Sequence, residues 1–133
     1  MTDILVTLSR DAYAALTDSD PLSLLVGDRI YDYIPPDTQY PYIFYGDMEV
    51  EPDDTDDTED NLVQWTLHIY SQYNGNKECY DIVDVLDNIV RRAGFESDGL
   101  VNIDRTFRDV VPDGDGKTRH GIARYRVRIE KEA

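Results

Sequence analysis

The sequence predicts an α+β domain: a mainly antiparallel β-sheet packed by two main helices. Three observations carry this expectation. Residues 62–72 and 121–130 alternate apolar and polar side chains at strand period. Residues 77–92 place one apolar stripe at helical spacing. The elements run α, short α, β, β, β, α, β, β, and strands flanking a central helix imply a sheet covered by helices on one face.

Each element has a local reason. Over residues 3–17, Ile4, Leu5, Leu8, Ala12, Ala15 and Leu16 fall near one face of a helix. A second short helix follows, with Asp20 as expected N-cap, Pro21 at the first helical position and Gly27 as terminator. Arg29-Ile30-Tyr31 reads as a short strand. Pro35-Pro36-Asp37 makes an irregular link, because neither proline donates to a ladder. Residues 41–51 are rich in aromatic and β-branched side chains and read as a strand. In the 62–72 strand, Val63, Trp65, Leu67 and Ile69 point one way, and Gln64, Thr66, His68 and Tyr70 the other.

Asn74-Gly75-Asn76 signals a turn before the central helix. There Cys79, Ile82, Val83, Leu86, Ile89 and Val90 form the stripe, with Asp81, Asp84 and Asp87 expected on the solvent side. Arg91-Arg92 suit the helix C-terminus and Gly94 ends it. Two more strands, 100–111 and 121–130, are joined by Asp113-Gly114-Asp115-Gly116. Ala123, Tyr125, Val127 and Ile129 face the core, opposite Arg124, Arg126 and Arg128. Residues 1–133 read as one domain with a protruding acidic loop at 47–60.

Charge narrows the function. Thirteen bases against 28 acids leave a net charge of −15, a surface that repels nucleic acid and anionic membranes. Residues 1–90 hold three bases against 20 acids; residues 91–133 hold ten against eight. The densest tract comprises Asp47, Glu49, Glu51, Asp53, Asp54, Asp56, Asp57, Glu59 and Asp60, with no base among them. It is expected to be an extended, solvated loop. A chain with one acidic and one basic region can associate head-to-tail with its own copies, and such contacts close into a ring when the rotation permits. The alternative is that both charge sets are solvated faces. Ten tyrosines are more than a small core hides, so Tyr42 and Tyr45 are expected to serve an interface.

Catalytic and metal chemistry finds little support. No apolar run approaches the ~20 residues that span a bilayer. Met1-Thr2-Asp3 lacks the basic start of a signal peptide, and the lone Cys79 cannot form an internal disulfide, so a reducing cytoplasm is expected. Cys79 lies on the helical stripe and reads as an inert core thiol. His68 and His120 have no spaced partners of the zinc type. Asp113-Gly114-Asp115-Gly116-Lys117 begins like a calcium loop, then places Thr118 and Arg124 where that loop needs Gly and Glu. Residues 61–72 contain neither acid nor lysine, against a metal-dependent nuclease. No cofactor, metal or catalytic residue is expected.

One further pattern is spread along the chain. The run Pro21-Leu22-Ser23-Leu24-Leu25-Val26-Gly27-Asp28-Arg29-Ile30-Tyr31, then Pro35-Pro36, Tyr40-Pro41-Tyr42-Ile43 and Gly46, leads to Trp65-Thr66-Leu67-His68-Ile69-Tyr70-Ser71 before the next helix. This resembles the tail-completion, or tail terminator, proteins of long-tailed phages and gene transfer agents, a family similar to minor tail protein U of phage lambda. Tyr70-Ser71 stands where the family has a Trp-Ser-like pair. The likeness spans about residues 5–90; beyond it only the strand order matches.

The resemblance implies a tail-terminator-like fold and a structural, non-enzymatic virion protein. It implies a hexameric ring that caps the tail tube and joins it to the head connector, located in the tail or neck of the virion after assembly in the host cytoplasm. Its partners would be copies of itself, the tail tube protein and the connector or stopper protein. DNA would cross an acidic lumen without specific binding, and no membrane is involved. The nine acids of 47–60 are the candidate lumen or tube-facing residues; Arg124, Arg126, Arg128, Tyr42 and Tyr45 are the candidate subunit or tube interface. Two other roles stay open at this point: a connector stopper, and an acidic DNA mimic that inhibits a host DNA-binding protein.

Overall fold

A computed structural model describes residues 3–52, 58–92 and 95–132. Helix α1 spans Ile4–Thr17, and the Asp3 carboxylate caps it by accepting from the Leu5 amide. Helix α2 spans Asp20–Val26. Its cap is Ser19 and not Asp20: the serine hydroxyl accepts from the Leu22 amide at 3.3 Å, leaving Asp20 inside the first turn. Strand β1 is Ile30–Tyr31, β2 is Tyr42–Pro52 and β3 is Thr58–Ser71. Helix α3 spans Lys77–Asp87 and continues as a π-helical turn over Asn88–Arg92. Strands β4, Leu100–Pro112, and β5, Arg119–Glu132, complete the chain.

The five strands form one sheet in the order β1-β2-β3-β5-β4. β1 runs parallel to β2; every other pairing is antiparallel. The inward phases of β3 and β5 alternate as the sequence predicts: Val63, Trp65, Leu67 and Ile69 meet Ala123, Tyr125, Val127 and Ile129 in the core. The stripe of α3 and the π-helical turn covers them with Cys79, Ile82, Val83, Leu86, Ile89 and Val90, while Leu8, Ala12, Leu16, Leu22 and Val26 come from the first two helices. Among the described residues, helices thus cover one sheet face and leave the other uncovered.

The structure changes three local expectations. First, the acidic tract is not one long loop. β2 runs through Pro52 and β3 begins at Thr58, so most of the tract outside 53–57 forms the arms of a hairpin. Its β2 acids alternate with Met48 and Val50, and the pairing Val50↔Val63 shows that period 2 outweighs self-repulsion there. Second, β2 carries a bulge between Phe44 and Asp47. The Trp65 indole spans it, donating to the Tyr45 carbonyl at 2.9 Å. Third, Asp87 does not face solvent. It is 4% exposed and accepts from the Tyr125 hydroxyl at 3.0 Å, with Arg91 at 3.1 Å and Arg105 at 3.3 Å.

One glycine is dictated by geometry. Gly99 has φ +79°, and an added Cβ would lie 2.6 Å from the Glu130 carbonyl. That close approach lets the Gly99 carbonyl accept from the Glu130 amide at 2.8 Å, which seats the start of β4.

Candidate functional site: the uncovered face of the sheet

Register builds this face in rows across the strands. At one end Tyr42, Tyr70 and His120 stand side by side. The next row places Phe44, His68 and Ile122 together. Then come Asp47, Thr66, Arg124 and Phe107, followed by Glu49, Gln64, Arg126 and Asp104. Acids therefore line the β2 side and arginines the β5 side.

The three arginines differ in availability. Arg124 donates from Nε to the Thr66 hydroxyl at 3.3 Å and stacks over Phe107 at 5.1 Å. Arg128 reaches Asp60 at 3.5 Å, a diagonal pair across β3 and β5. Only Arg126 is open among them: its side chain is 57% exposed and its contact with Asp104 is 3.8 Å long. An exposed pair at that distance contributes ~0.5 kcal/mol or less. Of the three candidate interface arginines, Arg126 is the most exposed, because the sheet register hands Arg124 and Arg128 partners within the chain.

The candidate lumen acids also separate. Asp60 is 4% exposed and engaged by Arg128, so it is a structural group of the hairpin and not a bare surface carboxylate. Asp47 is committed to His68, whose Nε2 lies 2.7 Å from its carboxylate. Glu49 and Glu51 are exposed, and with Leu62, Gln64, Thr106 and Arg126 they line a cavity of about 330 Å³. Glu59 lies on β3, its backbone in register with Lys131. Asp53, Asp54, Asp56 and Asp57 lie outside the described residues.

Tyr42 and Tyr45, the candidate interface tyrosines, are packed within the single chain. They are 9% and 6% exposed within the single chain. Tyr42 stacks on Tyr70 at 5.0 Å and leans on Tyr40 at 5.3 Å; burial pushes its phenol up to about 12, with Tyr40 adding to the shift. Tyr45 sits beside Tyr13 on the helix side, and burial raises its phenol too. The exposed tyrosines are instead Tyr13, Tyr33, Tyr73 and Tyr80, with Tyr40 at the margin.

Two clusters escape sequence reasoning. One is Asp87 with its three donors. The other is the chain Asp47–His68–His120, in which His68 Nδ1 lies 2.7 Å from His120 Nε2. The available signal was that both histidines occupy the outward phase of their strands; their pairing needed the register Tyr70↔His120.

Nucleophilic and metal chemistry has no assembled centre among the described residues. Cys79 is fully buried, and desolvation pushes its thiol up to about 11. We expect Cys79 to resist a disulfide reagent at pH 8 in the folded protein and to react within minutes in denaturant; rapid native labelling would contradict its burial. No cluster among the described residues suits a metal. Asp47 takes the ring nitrogen of His68 that faces away from His120, so the three groups do not converge on a point. Asp115 is likewise spent: its carboxylate accepts from the Thr118 hydroxyl and from the amides of Thr118 and Lys117, which hold it down near about 2.

What remains is a face for contact, with acids on β2, arginines on β5, and Asp104 and Asp109 beyond them on the edge strand β4. Comparison with known proteins agrees on the architecture. The chain has the fold of a chain in the virion of a native gene transfer agent particle, with a TM-score of 0.88 and 16% identity over 98% of this chain and 100% of that one. It is similar to the gp17 protein of bacteriophage SPP1, with a TM-score of 0.64 and 20% identity over 97% of this chain and 93% of that one. No curated protein sequence matches it. The family model of tail completion protein gp17 matches residues 11–130. The chain therefore belongs to the tail completion protein gp17 family, and its role is a structural one in a phage-type tail.

Proposed function

We propose that this protein is a tail terminator: copies of it close head-to-tail into a ring, hexameric by the family resemblance. The ring caps the tail tube, joins it to the head connector and lets DNA pass an acidic lumen. The role is non-enzymatic. One geometric observation carries the reading. β2, with Asp47, Glu49 and Glu51, lies toward one edge of the sheet, while Arg126 stands on the same face of β5, nearer the other edge, and Arg108 lies on the edge strand β4 in the opposite phase. Among the described residues β1 pairs with β2 only at Ile43 and Phe44, so from Asp47 onward β2 has a strand partner there on one side alone. Unlike edges on one rigid sheet favour a heterologous contact, the kind that generates rings.

An acidic lumen follows from the same arrangement. Like charge repels phosphates, and no counterions are released on approach, so DNA slides without adhering. A DNA mimic has less support, because Asp47 and Asp60 are engaged inside the chain and leave fewer free carboxylates to imitate phosphates.

The test uses two exposed arginines, Arg126 on the uncovered face of β5 and Arg108 on the edge strand β4. Arg126→Glu with Arg108→Glu should leave circular dichroism unchanged and abolish ring formation or tube capping, read by light scattering and negative-stain imaging of tails. Adding Glu49→Lys and Glu51→Lys should restore a measurable fraction. Undiminished assembly by the double variant overturns the interface, and tight duplex binding at physiological salt overturns the lumen.

A further inference from the structure

The pair His68–His120 carries chemistry that tail completion does not use. The two rings stack at 5.0 Å between centroids, and His68 Nδ1 lies 2.7 Å from His120 Nε2. Two ring nitrogens that close cannot both carry hydrogen, nor can both be bare; one proton must lie between them. We propose that His68 and His120 share one proton as a clasp across β2, β3 and β5, which holds while the pair carries at most one charge and opens when both rings are protonated.

The proton assignments follow from the neighbours. The Asp47 carboxylate only accepts, so His68 Nε2 donates to it at 2.7 Å. In the neutral pair His68 Nδ1 is then a bare acceptor, and His120 Nε2–H donates to it. One added proton binds the vacant His120 Nδ1, and the bridging proton can pass from His120 Nε2 to His68 Nδ1, which reverses the bond: Nδ1–H of His68 then donates to His120 Nε2. The bridge survives, and Asp47 neutralises the charge. A second added proton sets N–H against N–H, and the rings must part.

The surroundings reinforce this limit. Tyr70 of β3 stacks on His120 at 4.7 Å and on His68 at 6.4 Å, and Phe44 of β2 leans on His68 at 6.1 Å. The other titratable groups facing the pair are Asp47 and Tyr42 on β2, Tyr40 just before it, and Asp113 in the turn ahead of β5. Burial lowers the proton affinity of His120 and His68 lowers it further; Asp113 opposes them. The unfolded chain therefore binds more protons than the folded one just below the ordinary histidine range, and stability falls as pH drops through that window.

Nitrogen-resolved imidazole NMR tests the clasp directly, on the full chain with EDTA present, from about pH 8.5 to 4.5. The expected result is two coupled steps whose proton affinities differ by ~tenfold or more. The lower step should coincide with amide shifts at residues 47, 70 and 120. In His120→Gln, whose amide still donates to His68 Nδ1, the lower step should vanish and the acid loss of stability shrink. Two independent titrations at one midpoint, or an unaltered His68 curve in His120→Gln, overturn the clasp. Should that variant misfold, the wild-type titration by itself still distinguishes coupled from independent steps.

Discussion

Trp65→Ala should lower the unfolding free energy by about 4 kcal/mol, near the top of the range for buried aromatic truncations. Trp65 is fully buried at the middle of β3, its ring tilted against Tyr125 at 6.2 Å and Phe95 at 5.9 Å. Removing it opens a cavity beneath helix α3 that fixed strands cannot close. It also orphans the Tyr45 carbonyl, which the bulge in β2 takes out of the ladder and the indole satisfies. A domain of this size loses roughly 4 °C of Tm per kcal/mol, so a fall of ~15 °C is expected by calorimetry. Trp65→Phe separates the two causes. It keeps most of the apolar volume and loses the donor, so its cost should be ~2 kcal/mol, mostly the unsatisfied carbonyl. A cost near zero for Trp65→Phe would show that the hydrogen bond contributes nothing, and equal costs for both variants that the cavity contributes nothing.

Asp87→Ala should cost about 3 kcal/mol, measured by urea denaturation. The carboxylate is the common acceptor for the Tyr125 hydroxyl, Arg91 and Arg105, and it joins α3 to β5 and β4. Its loss strands a fully buried hydroxyl and unpairs two half-buried guanidinium groups. Burial and the adjacent Asp87 both raise the Tyr125 phenol above its ordinary value, so the hydroxyl stays protonated and keeps donating. Adding Tyr125→Phe to Asp87→Ala should recover ~1 kcal/mol, because the orphaned hydroxyl goes with it. Strict additivity of the two changes would sink the proposed sharing. Asp87→Asn should fall between: an amide oxygen still accepts from Tyr125, while its NH2 group faces the arginines.

The Asp87 cluster also shows why parts of this molecule escape sequence reasoning. Helical spacing puts Asp87 beside Asp84 on the polar flank, and in an isolated helix that placement is sound. Its donor Tyr125 lies 38 residues away and appears beside it only once β5 is seated. Likewise Arg128 and Asp60 are 68 residues apart, and His68 and His120 are 52 apart. Each pairing depends on strand register, which no local window contains.

The family was legible because it resides in a run of local signals: Gly27 through Tyr31, Tyr40 through Gly46, and Trp65 through Ser71. The family match over residues 11–130 confirms it. The acidic tract was legible as charge but not as structure, since repulsion is a bulk property while the hairpin depends on Met48 and Val50 alternating between the acids.

From its residues alone this chain specifies helix α3, the inward faces of β3 and β5, and an acidic first part joined to a mildly basic second. Those follow from periodicity and composition, which are properties of neighbours along the chain. Which acids and arginines stay free for contact, and which are consumed within the domain, was decided only by folding. Antiparallel pairing brings distant side chains within hydrogen-bond range, and a charge that gains a partner there is no longer available to another subunit.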